Sequence, residues 1–197
     1  MAPHYGGAGE GGANHYVTIH PMNTTAETRM TISMYQASAP RFVNMLNNLS
    51  VLLDKAQAHC EARKIDPQVL TSCRLFPDML PLTRQVTIAC DNAKGAVARL
   101  AGVDIPKHED VERTFEELKA RIAKTVAFVQ TIKPAQVDGS EDKDIVLKLR
   151  AREVPYKGMQ YLLGFALPNF YFHVVTAYNI LRHNGVELGK SDYIGTP

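Results

Sequence analysis

A chain of 197 residues, 45% apolar and 21% charged, is long enough to bury one ordinary core, and a single soluble domain is the default. The 22 Lys and Arg are dispersed among 20 Asp and Glu for a formal net charge of +2, which argues against nucleic acid as a partner. The longest apolar run, Tyr161 to Leu167, is too short to cross a bilayer, so no membrane is expected, and no basic segment with an apolar one behind it opens the chain.

Residues 1–29 differ from all that follows: Gly6, Gly7, Gly9, Gly11 and Gly12 crowd together, and a polar Asn23-Thr24-Thr25 run comes next. This predicts a disordered extension over 1–29, with the folded domain over 30–197. His4, His15 and His20 read better as a solvated arm than as a metal-binding tail.

Three apolar stripes follow. Phe42, Leu46, Leu49, Leu53, Ala56 and Cys60 alternate steps of four and three, which predicts a bundle helix. Ser38 and Pro40 mark its start or a bend, and Asp66-Pro67 follows its end. The second stripe is Leu82, Val86, Ala89, Ala93, Val97 and Leu100, closed by Gly102 as a left-handed stop. On this helix Gln85 borders the buried face, Asp78 lies one turn before it or acts as a first-turn charge, and Arg84 and Asp91 belong to the solvated side. The third helix opens with the capping box Thr114-Phe115-Glu116-Glu117, carries Phe115, Leu118, Ile122, Val126, Val129 and Ile132, and meets Pro134. Alternating Ile145, Leu147 and Leu149 within 144–156 predict a short strand or hairpin flap. Cys60, Cys73 and Cys90 form no CxxC or Cys/His metal spacing, which points to reduced thiols in a cytoplasmic protein.

The last helix, Leu162 to His183, carries polar groups where its buried stripe belongs. At about 100° per residue, Leu162, Phe165, Asn169, Phe172, His173, Thr176, Ile180 and His183 fall within roughly a third of a turn. Asn169, His173 and Thr176 must then bond one another, hold a water or ion, or line a cavity. Asn169 and His173, four apart, have the spacing to grip one metal ion or one substrate group, although an imidazole on an apolar face is more often a satisfied core residue. Arg182-His183-Asn184-Gly185 reads as the C-terminal cap, and Tyr178 points away to the flap or a partner. The architecture inferred is all-α: four long helices, with one long crossover that holds a small extended element.

The run Leu167-Pro168-Asn169-Phe170-Tyr171-Phe172-His173, continued by Ala177-Tyr178-Asn179-Ile180-Leu181-Arg182-His183-Asn184-Gly185, resembles an uncharacterised family of DinB-like proteins. Phe76-Pro77-Asp78-Met79 with Arg84-Gln85-Val86, and Thr114-Phe115 with Leu118-Lys119-Ala120-Arg121-Ile122, are similar to the same family. The resemblance implies a DinB/YfiT-type bundle, up-down-down-up, often a homodimer, with a pocket at one end. Such relatives hold a divalent metal through one histidine of the second helix and two of the last. Here His173 falls at the second last-helix position, Asn169 stands at the first, and no histidine lies between Cys73 and Lys107. No cofactor is therefore expected, and metal is disfavoured. Asp78, Gln85, Asn169 and Thr176 are expected to line a small-molecule pocket around His173, the candidate catalytic group. The competing expectation is a non-catalytic helical dimerisation or interaction module whose buried His/Asn pair locks helix register.

Overall fold

The computed structural model describes residues 31–149 and 152–195; the extension expected over 1–29, with its histidines, lies outside the described residues. Ser33 caps the single turn α1 (Met34–Ala37), its hydroxyl accepting from the Gln36 amide. Ser38 then breaks the rod: its ψ of −84° ends α1, and its hydroxyl donates to the Met34 carbonyl at 2.6 Å. Pro40 sits in the first turn of α2 (Ala39–Arg63), where its missing amide would have had no partner. The whole predicted stripe from Phe42 to Cys60 is buried on α2, which stops at left-handed Lys64.

Asp66 accepts from the Gln68 amide to cap a short helix that periodicity did not announce, α3 (Pro67–Thr71). Next come α4 (Leu82–Ala101), stopped by Gly102 at φ 73°, and α5 (Phe115–Thr131), opened by the capping box of Thr114 and Glu117. After α6 (Pro134–Val137), the expected flap is an antiparallel hairpin of β1 (Asp144–Leu149) and β2 (Arg152–Lys157), which sets Ile145 opposite Tyr156. Ile145 and Leu147 point inward from it. The final rod runs without a break through α7 (Gly158–Tyr161), one π turn (Leu162–Ala166) and α8 (Leu167–His183), and α9 (Lys190–Ile194) folds back onto α2.

The last rod differs from the expected Leu162–His183 helix in start and in phase. It begins at Gly158, and Pro168 explains the π turn behind it: a proline lacks the donor that residue 164 would bond and crowds that carbonyl, so the Leu167 amide bonds back to Leu162 instead. Beyond the turn Phe170, Val174, Ala177 and Leu181 are buried together with His173, Thr176 and Ile180 of the expected stripe, while Phe172 (56% exposed) and His183 face outward. The segment is apolar on nearly every side, so periodicity left its phase open. Packing set it: Phe170 meets Phe42 of α2 edge-to-face at 4.9 Å, a contact that contributes about 1 kcal/mol beyond its burial.

Four rods enclose one core. Gln57 bonded to Glu116 and Lys119 to Asp54 set α2 antiparallel to α5. Gln85 meeting His173 and Asn92 meeting Asn169 do the same for α4 and α8. Lys143, just beyond α5 and α6, donates to the Leu100 carbonyl at the end of α4, so α4 and α5 run parallel. Two parallel neighbours in sequence need a return path along the bundle, which residues 103–113 supply as a second long crossover. The result is an up-down-down-up bundle with a hairpin. Among the described residues no helix is long and apolar enough to cross a membrane.

Candidate functional site: a polar seam between α4 and α8

Seven residues are nearly two full turns, so Gln85, Asn92 and Arg99 line one stripe of α4. Each meets a polar partner on the final rod. The Gln85 Oε1 lies 2.7 Å from His173 Nδ1, Asn169 Nδ2 donates to Asn92 Oδ1 at 2.8 Å, and Arg99 Nη1 donates to the Tyr161 hydroxyl at 3.2 Å with its guanidinium over that ring. The three rungs span the interface like a ladder.

The first rung assigns the imidazole its proton. Gln85 Nε2 donates to the Leu80 carbonyl at 2.9 Å, which turns Oε1 toward the ring. An amide oxygen only accepts, so Nδ1 carries the hydrogen and Nε2 keeps its lone pair. Burial, which leaves the residue only 9% exposed, pushes the His173 pKa down, and the neutral form is the resting one. Nε2 makes no hydrogen bond and is not sealed from solvent. Phe172 stands edge-on to the same ring at 5.3 Å.

The other sequence candidates divide. Asn169 joins the seam, and Thr176 is buried beside it, but its hydroxyl donates to the Phe172 carbonyl of its own helix at 2.7 Å. Asp78 does not join: it lies in an exposed turn ahead of α4, which is capped by Pro81 without a side-chain bond. Pro81 excludes the helical turn that would have aimed Asp78 inward. Arg84 and Asp91 are not simply solvated, since Arg84 pairs with Asp110 and Asp91 accepts from Arg121 and Lys94, both at 2.8 Å. Tyr178 packs on Tyr193 of α9 rather than on the flap. Asn92 was missed although it stands one heptad beyond Gln85, the spacing that could have found it. The clefts around Lys107, His59, Gln68, Arg99 and Gln36 include no residue of the Gln85–His173 rung.

A three-histidine metal centre does not fit this seam. Of its donors only His173 is an imidazole, the Gln85 oxygen is committed to Nδ1, and Asn169, its nitrogen bonded to Asn92, offers only a carboxamide oxygen. Carboxamides are poor ligands for zinc-like ions, and among the described residues no cluster of three His, Cys, Asp or Glu could hold one.

Residues 34–194 match a family described as a domain of unknown function, DUF1993. The chain belongs to the DUF1993 family. A crystal structure of a DinB family member protein from Shewanella denitrificans is 41% identical, covering 83% of this chain and 92% of that one at a TM-score of 0.75. The DUF1993 chain thus sits within the DinB-like bundles. No curated protein matches it.

Proposed function

We propose that this DUF1993 protein is a cytoplasmic small-molecule-binding protein in which His173 Nε2 meets the ligand, as hydrogen-bond acceptor or general base. One observation carries the reading. Gln85, itself held by Leu80, holds the ring in the Nδ1–H form and leaves the basic nitrogen at the solvent edge, the arrangement by which a second residue orients a working imidazole. Asn169 and Thr176 flank it on the same helix, and the Asn169 carboxamide oxygen remains free to orient a polar group. No step through a metal enters this reading.

Melting the full chain against a panel of small metabolites tests it. At least one compound should raise the melting temperature of the wild type, and His173→Gln should lose that shift while melting normally without ligand. A hit retained in His173→Gln refutes the assignment.

A second reading is favoured by the closure of the seam: each rung has its partner within the chain, and the neighbouring clefts pass the first rung by. On that reading His173 and Asn169 lock the register of a non-catalytic module, and the outward face of α8 with Leu163, Phe172 and Val175 packs on a second copy. Strong destabilisation by His173→Ala, with no compound bound by the wild type, would favour it.

A further inference from the structure

The crossover segment 107–109 separates two open clefts, one of about 550 Å³ toward α5 and one of about 710 Å³ toward α4. Lysines and arginines match the carboxylates in the first and exceed them by one in the second. Asp91 is committed to Lys94 and Arg121, Glu112 to Arg121, and Glu117 to the capping amides of Arg113 and Thr114. Among the described residues Glu109 and Glu117 are the lining carboxylates with no cation on them, Glu117 being held by backbone amides alone, whereas Arg99, Lys107 and Lys124 have no carboxylate on them. Unpaired cations are therefore in excess in the cleft toward α4, where Arg99 and Lys107 stand against Glu109.

Arg99 is also held in place. A Cβ on Gly95 would stand 2.6 Å from Arg99 Nη1, so it is the glycine that lets the guanidinium fold back along α4 onto Tyr161. Two further groups at this crossover lack partners: Nε of Arg121, whose side chain is 2% exposed, and Nδ1 of His108 are both sealed from solvent with no hydrogen bond. The field acts on His108 as expected: burial, then Lys94, Arg121 and Lys124, push its pKa down, and Asp91 opposes them weakly.

We propose that the cleft between α4 and the 105–109 segment binds an oxyanion group, phosphate or carboxylate, of a small molecule through Arg99 and Lys107. A guanidinium already oriented by an aromatic ring presents its fork to two oxygens at little entropic cost. The site stands on residues other than His173 and does not depend on the role of that residue.

The test melts the full chain in sodium phosphate and in sodium succinate, each against sodium chloride at equal ionic strength. Phosphate or succinate should raise the melting temperature beyond chloride, and the salt that does so identifies the group. Lys107→Gln, at an exposed position, should weaken that binding about tenfold. Gly95→Ala keeps every charge and improves α4 as a helix, so it should melt higher without ligand and yet respond more weakly, because the tip of the Arg99 side chain has to shift off the methyl. In the wild type the bound anion should raise the His108 pKa, read by NMR titration of its ring protons. Equal melting in all three salts, or an undiminished response in both variants, overturns the proposal.

Discussion

At the scale of single residues the buried imidazole of His173 and the half-buried one of His108 have a measurable signature. Burial lowers the pKa of His173, and burial together with Lys94, Arg121 and Lys124 lowers that of His108, each from an ordinary value of 6.5. Below that value the unfolded chain binds protons that the folded one refuses, so folding stability holds its plateau above pH 6.5 and declines as the pH falls toward the depressed folded values. Urea unfolding across this range should show the decline, and His173→Gln should make it shallower, leaving the His108 part. An unchanged slope would mean that the ring takes up its proton in the fold as readily as in the unfolded chain. Cys90 shows the same cause: burial pushes its thiol up to about 12, so it packs rather than reacts.

Among the elements, α5 displays how far local chemistry carries. Thr114 accepts from the Glu117 amide at 3.2 Å, while the Glu117 carboxylate accepts from the Arg113 and Thr114 amides at 2.6 and 3.0 Å. Thr114→Ala should cost about 1 kcal/mol in denaturant unfolding, and a loss below about 0.3 kcal/mol would mean that the box frays in solution. The signal needed no tertiary knowledge, since all its atoms lie within four residues. The final rod is the opposite case. Pro168 has to interrupt the hydrogen-bond ladder of a helix, but whether the interruption takes the form of a kink or a π turn, and which flank is buried, depends on α2 and α4 packed beside it. Arg121 was equally silent in the sequence: its partners Asp91, Asp110 and Glu112 sit on α4 and the crossover, and only the fold brings them to its guanidinium.

For the molecule as a whole, the outward side of α8 is the face to probe. Leu163, Phe172 and Val175 are exposed there, and the second reading under the proposed function seats another copy on them. Light scattering of the wild type should then give twice the chain mass, and Phe172→Asp, a surface change that spares the core, should give the monomer mass with little change in melting temperature. A wild type that is already monomeric removes this face from consideration.

The long helices, the stops at Gly102 and Gly185, the capping box and the hairpin were legible in the sequence because each depends on a local pattern. The candidate site was legible in part: Gln85, Asn169 and His173 could be placed near a buried stripe, but not paired, and Asp78 could not be separated from them. Those pairings, the Arg99–Tyr161 rung and the charge excess at the crossover were decided by the tertiary structure alone. A side chain acquires its hydrogen-bond partner and its field from residues dozens of positions away, and no local periodicity encodes which of them will be there.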